Sequence, residues 1–231
     1  MASFVTSMLG GSVAYSNVNC WVGALDVSIS YPPGATNNHI PPLIVQSIHE
    51  AQRWLSLALQ EVRHHEVRGN ASEFYRERFT YSFGIQPTVR CSHEVSVVLS
   101  QINNGLSYGR LSIKVMDKKG RGGGVHGRVS PNRLYFYAEK GPEIELDLGR
   151  LLSMPKRSTK TLIHEAGHVF GNLIDYAYAD PHADAHHLDW FNRSGNQPPV
   201  RLELEWEKAK HNADSYAMFV FRLSRPRVGP S

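Results

Sequence analysis

The chain has 231 residues, 41% of them hydrophobic and 20% charged, with a mean hydropathy of −0.35. That is enough apolar mass for one large domain or two small ones, and it excludes a wholly disordered chain. The longest apolar run, Ala213 to Leu223, is broken by Asp214 and Arg222 and falls short of the ~20 residues that a membrane helix needs. The formal charge is only +4 and its basic residues are scattered, so no nucleic-acid partner is expected.

Residues 1–40 are rich in Ser, Gly, Asn and Pro and alternate around Trp21–Val27. This is the pattern of an N-terminal arm, or of short strands packing on the core. From Ile44 the apolar residues Ile48, Ala51, Leu55, Ala58, Leu59 and Val62 recur at three and four, and Pro41-Pro42 marks the start, which predicts an amphipathic helix. His64-His65 is expected to cap or solvate its polar end. A second helix is predicted over Ser92–Asn103, with Ser92 as N-cap, a stripe of Val95, Leu99 and Ile102, and Asn104-Gly105 as the stop.

Strand patterns follow. Leu111, Ile113 and Val115 alternate with polar residues, and Leu134–Tyr137 and Ile144–Leu148 are similar, predicting a small antiparallel sheet. Between them, Lys118, Lys119, Arg121 and Arg128 surround a glycine run that reads as a solvated hairpin loop. Ser158 or Thr159 then opens a helix through Leu162, Ile163, Ala166, Val169 and Phe170, stopped near Gly171-Asn172. A polar, His- and Asp-rich loop spans 180–199, a last helix runs from about Leu202 to Leu223, and 225–231 form a tail. With no repeat and no sharp change of composition, residues 41–224 are expected to form one α+β domain.

Cys20 and Cys91 are the only cysteines, and no C-x-x-C pattern exists. Cysteine zinc sites and redox motifs are therefore excluded, while a single disulfide and two buried thiols both stay open. Met1–Ala14 lacks a basic n-region and reads as a poor secretory signal.

The chemistry lies in His164-Glu165-Ala166-Gly167-His168, a match to H-E-x-x-H. On a helix, positions i and i+4 share a face, so both imidazoles can reach one Zn²⁺ while the glutamate stands beside the open coordination position. Zinc lowers the pKa of its water to about 7 and polarises a carbonyl, and the glutamate takes the water's proton and passes it to the leaving amine. A catalytic zinc needs a third protein ligand. The position that would supply it in H-E-x-x-H-x-x-G-x-x-H holds Ile174, which cannot bind a metal. Asp175, one residue on, offers a carboxylate oxygen. The His-rich stretch with His182, His186 and His187 offers rivals, as do Glu203, Glu205 and Glu207.

Asp175 and Tyr178 stand in the spacing D-x-x-Y, and Asn212-Ala213-Asp214-Ser215-Tyr216 follows downstream. Here the chain resembles the aspzincins, the deuterolysin and lysine-specific metallo-endopeptidase family, whose signature is H-E-x-x-H followed by G-T-x-D-x-x-Y-G, with N-A-D-S-Y on a later helix. Tyr81-Ser82-Phe83-Gly84 echoes an upstream aromatic-glycine segment. The resemblance covers roughly residues 161–221. It departs from the pattern at the Gly-Thr pair, at the final glycine (Ala179 here) and in a shorter gap between His168 and Asp175.

The resemblance implies a zincin-like fold with one Zn²⁺ per chain held by His164, His168 and Asp175. It further implies Glu165 as general base, Tyr178 as hydrogen-bond donor to the oxyanion, Asp214 near the substrate pocket or supporting the site, and Tyr216 as a substrate-binding residue. Ala217 stands where lysine-specific members carry a further acid, so strict lysine specificity is not carried over. The function expected is a zinc endopeptidase acting on proteins or peptides, secreted or delivered to a target cell as a bacterial toxin or effector is. A zinc amidase acting on cell-wall peptides and a catalytically silent binding module are the alternatives. Nothing in the sequence sets the oligomeric state.

Overall fold

The computed structural model describes residues 15–34, 37–117, 127–129, 142–153, 155–176 and 204–225. Strands β1 (Ser16–Val22) and β2 (Ala24–Tyr31) form an antiparallel hairpin. Gly23, at φ +62°, makes the tight turn between them. Three helices follow, α1 (Ile40–Arg68), α2 (Glu73–Phe83) and α3 (Val89–Gly105), before the chain returns as β3 (Tyr108–Met116). The short β4 (Gly127–Val129) and β5 (Glu143–Asp147) complete a five-stranded sheet in the order β1-β2-β3-β5-β4. Helices α4 (Leu148–Ser153), α5 (Pro155–Phe170), α6 (Trp206–Ala209) and α7 (Ala213–Leu223) come last.

The α+β architecture is the one the sequence predicts, but its sheet is mixed. β2 pairs with β3 and β3 with β5 in parallel, while β1 and β4 are antiparallel to their neighbours. The reason is connectivity: a crossover of three helices separates β2 from β3, and a helical crossover returns a strand in the same direction. Leu134–Tyr137 lies outside the described residues, as do 118–120 with their lysines.

Alternation buries one face of the sheet. Leu25, Val27 and Ile29 of β2, Leu111, Ile113 and Val115 of β3, and Ile144 and Leu146 of β5 join one core with Ile44, Ile48, Ala51, Leu55, Ala58 and Val62 of α1. A buried CH₂ contributes about 0.8 kcal/mol, so this layer is the main source of stability. The half-buried Cys20 and Cys91 pack against the same core as free thiols.

Helix limits differ from expectation where buried polar groups intervene. α3 begins at Val89 because Thr88 is its N-cap, accepting from the Cys91 N–H at 3.1 Å. Ser92 is instead buried. Its hydroxyl lies 2.8 Å from His65 Nδ1 and 2.8 Å from the Tyr75 hydroxyl. His65 therefore does not solvate the end of α1: it is a core residue, and burial pushes its pKa below the ordinary value. Similarly Ser158 and Thr159 do not cap α5, which starts a turn earlier. Both are buried, and Thr159 donates to Glu50 at 3.0 Å, tying α5 to α1.

The last predicted helix is two. It breaks at Lys210–Asn212, and Asn212 becomes the N-cap of α7. An aromatic cluster holds this C-terminal part in place: Phe83 of α2 meets Tyr216 and Phe219 of α7 edge-on at 5.2 and 5.3 Å, and Trp206 of α6 stacks on Phe79 at 6.2 Å.

Candidate metal centre

α5 carries the H-E-x-x-H segment with both histidines on one face. Its C-terminus decides where the next ligand goes. Asn172 takes up φ +52°, a left-handed conformation that Asn tolerates better than most residues, and the Leu173 N–H folds back onto the Gly167 carbonyl at 3.1 Å. Gly171 is required at this reversal, because a Cβ there would lie 2.9 Å from the Gly167 oxygen and 3.1 Å from Val98. The chain thus returns along its own helix, and Asp175 comes to face the histidines although so few residues separate it from His168.

His168 Nε2 lies 3.2 Å from His164 Nε2 and 3.2 Å from Asp175 Oδ1, and His164 Nε2 lies 3.3 Å from the same Oδ1. Four ligands placed tetrahedrally at the usual zinc distances stand about 3.3–3.4 Å apart. Two imidazole nitrogens and one carboxylate oxygen at this spacing therefore fit a zinc ion with its fourth position open. Among the described residues this is the one group of three or more His, Cys, Asp or Glu side chains whose donor atoms converge. Of the rival ligands, Glu205 is the N-cap of α6, and Glu207 is exposed and pairs with Lys210 at 2.9 Å. Glu203 and the 180–189 stretch, like Tyr178, lie outside the described residues.

The other ring nitrogens are pinned from behind. His168 Nδ1 donates to the Leu173 carbonyl at 2.8 Å; a carbonyl only accepts, so the Nδ1 bears the hydrogen and Nε2 keeps its lone pair for a metal. His164 Nδ1 lies 3.4 Å from Asp214 Oδ1, and the same oxygen is 3.1 Å from Lys160 Nζ. Burial favours the uncharged His164 ring, yet hydrogen bonds to Asp175 and Asp214 and the charge of Glu165 outweigh it and push the pKa up to about 10. In the metal-free protein a proton thus takes the place of a cation.

Glu165 is buried beside these groups, and Asp175, the most accessible of the three, is flanked by the exposed side chains of Ile174 and Tyr176. Asp214 is buried behind His164, on the ring nitrogen that does not face Asp175. Tyr216, expected to bind substrate, lies in the interior of the described residues. It is 1% exposed, its hydroxyl donates to the Lys210 carbonyl at 2.9 Å, and burial pushes its pKa up. Its position docks α7, and with α7 Asp214. The Tyr81–Gly84 segment is likewise structural: Phe83 is core, Gly84 ends α2, and the Arg222 guanidinium covers Tyr81 at 3.3 Å.

One contributor, Lys160, is absent from the sequence reading, and another, Asn212, is read only as part of the N-A-D-S-Y segment without a role of its own. Lys160 stands one helical turn before His164, a spacing that could have signalled it. Asn212 is fully buried, accepts from the Tyr176 N–H at 2.9 Å and donates to Ser215 Oγ at 3.0 Å. Beside it, Ile174 pairs with Asn212 in an isolated parallel bridge, with 2.9 and 3.0 Å hydrogen bonds from Ile174 N–H to His211 and from Ala213 N–H to Ile174. The segment bearing Asp175 is in this way stitched to the start of α7.

No family model matches the chain, and no curated protein matches it. Among solved structures, a zinc peptidase from Grifola frondosa is similar in fold, with a TM-score of 0.51 and 22% identity over 76% of this chain and 90% of that one. The likeness supports a zincin-like α+β fold.

Proposed function

We propose that this chain is a zinc-dependent peptidase of aspzincin type, with His164, His168 and Asp175 as the ligands of one Zn²⁺ and Glu165 as general base. The observation that carries the reading is the near-equilateral triangle of two Nε2 atoms and one carboxylate oxygen, with sides of 3.2–3.3 Å, next to a buried glutamate. The fold shared with the Grifola frondosa zinc peptidase and the D-x-x-Y and N-A-D-S-Y segments point the same way.

When bound, Zn²⁺ supplies Lewis acidity toward a peptide carbonyl and brings water into its reactive range near pH 7. The residues do the rest. Leu173 and Asp214 fix the two rings so that their lone pairs converge, and Asp175 contributes the anionic ligand. Glu165, on the same helix, takes a proton from the attacking water and hands it to the departing amine nitrogen. Tyr178 is proposed, on the family resemblance, to donate a hydrogen bond to the carbonyl oxygen as it gains charge. The substrate is a protein or peptide, and the setting we propose is outside the producing cell, as a secreted or delivered enzyme.

The test is metal content on purified parent, His164→Ala and Asp175→Ala, followed by digestion of a peptide library. About one zinc per chain, lost in both variants with the circular dichroism preserved, is the expected result. A parent that takes up no zinc after reconstitution sinks the proposal, and a zinc-loaded parent that cleaves no peptide bond removes the peptidase while leaving the metal site.

A further inference from the structure

We infer that Lys160 is a positioning residue for the metal site: it holds Asp214 where that carboxylate fixes the His164 ring. The inference rests on the proposed metal site and goes beyond it, because Lys160 belongs to none of the motifs that point to the chemistry.

One oxygen, Asp214 Oδ1, takes both contacts, with Lys160 Nζ at 3.1 Å and His164 Nδ1 at 3.4 Å. Lys160 and His164 leave the same face of α5 one turn apart, and Asp214 reaches both from the first turn of α7. The ammonium is deeply placed, its side chain 12% exposed against 4% for Asp214. Burying an ion pair is costly, and well-packed apolar residues of the same volume are commonly as stable or more so. Fold stability therefore gives no reason for a lysine here. Orientation does. A carboxylate behind a metal-facing histidine sets the ring's rotation and keeps the hydrogen on Nδ1, and a carboxylate gripped by a second charge cannot swing away from that task.

Electrostatics and positioning predict opposite signs for removal of the ammonium, which makes the inference testable. As a positive charge near a dication site, Lys160 weakens metal binding through simple Coulomb repulsion. As the holder of Asp214, it strengthens binding. The experiment uses the full chain as parent, Lys160→Met, Lys160→Arg, Asp214→Asn and the Lys160→Met/Asp214→Asn double variant. Zn²⁺ affinity is read by competition with a chromogenic chelator, and ligand geometry by the visible absorption bands of the Co²⁺-loaded protein.

Loss of an outer-shell partner costs roughly 10–100-fold in metal affinity. The expected result is a loss of that order in Lys160→Met with altered Co²⁺ bands, parent-like affinity in Lys160→Arg, and a double variant no weaker than Asp214→Asn, since the two residues act in series. Affinity in Lys160→Met equal to or tighter than the parent's, with unchanged Co²⁺ bands, overturns the inference. Should Lys160→Met fail to fold by circular dichroism, Asp214→Asn decides: parent-like affinity and bands there overturn it equally. A parent that binds one metal ion upholds the site whatever Lys160 does, and a parent that binds none removes both.

Discussion

Truncating Asn212 to alanine tests how the metal site is held together without touching a ligand. The side chain is 0% exposed and is held by hydrogen bonds that include one from the Tyr176 N–H at 2.9 Å and one to Ser215 Oγ at 3.0 Å. Each such bond contributes about 1 kcal/mol net, and a buried polar group stripped of its partner costs about 1–3 kcal/mol. Together these give a loss of about 2–4 kcal/mol. For a chain of this size 1 kcal/mol moves Tm by about 2–4 °C, so the metal-free variant should melt roughly 5–15 °C below the metal-free parent.

The same truncation frees the Tyr176 amide and loosens the segment bearing Asp175, so zinc affinity should fall roughly tenfold, the lower end of outer-shell losses. Asn212→Asp, which keeps an acceptor for Tyr176, should lose less of both. Melting must be followed without zinc, because bound metal stabilises by mass action and would mask the difference. An Asn212→Ala protein that melts within 2 °C of the parent (under ~1 kcal/mol) and binds zinc as tightly would refute the idea that this residue stitches Asp175 to α7.

Three further outcomes are expected. Glu165→Gln should keep its zinc and its melting temperature but cleave peptides about 10²–10⁴-fold more slowly, the usual worth of a general base; parent-like turnover would move that role elsewhere. Ser92→Ala removes the hydroxyl shared by His65 and Tyr75 and should cost about 2–4 kcal/mol in urea unfolding while zinc stoichiometry stays at the parent value; a stable variant would show that the buried trio is not a network. In the metal-free protein the His164 pKa lies near 10, above its unfolded value of 6.5. The stability it contributes is therefore complete below about pH 6.5 and is lost as pH rises toward 10. Thermal melts between pH 7 and 10 should fall for the metal-free parent and much less for His164→Ala, while zinc affinity rises over the same range because the metal displaces that proton. A pH dependence identical in the two proteins would contradict the assignment.

The readable parts of this molecule are those whose cause is local. The three-and-four spacing from Ile44 and the stripe of Val95, Leu99 and Ile102 specify α1 and α3 because amphipathic burial needs nothing beyond the helix itself. The H-E-x-x-H spacing places two imidazoles on one face for the same reason. Strand direction was not legible: alternation at Leu111–Val115 and Ile144–Leu148 sets which face is buried but not which neighbour each strand meets, and the helical crossover settles that. α2 went unread even though Tyr75, Phe79, Ser82 and Phe83 are buried at helical spacing; Phe74 and Tyr81 interrupt the polar face and blur the period, and its N-cap, Ser72, shows itself only by accepting from the Tyr75 N–H. The break before α7 and the role of Asn212 depend on contacts between distant segments, which no periodicity encodes, and the one-turn spacing of Lys160 from His164 places it on the right face without revealing its partner Asp214 on α7. Asp175 was a candidate only by elimination and resemblance; the φ +52° residue at 172 supplies the physical account of its return toward His168.

The stitch between Ile174 and Asn212 also sets an order in time. A ribosome delivers His164, His168 and Asp175 first, and Asn212 lies 36 residues beyond Tyr176, roughly 2–7 s of synthesis at ordinary elongation rates. Through that interval the nascent chain has every ligand and neither of the residues that fix them from α7. A centre of the proposed kind gains the contacts of Asn212 and Asp214 only once α7 has docked, so a chain cut short before α7 would carry the full H-E-x-x-H motif and Asp175 but should bind zinc more weakly.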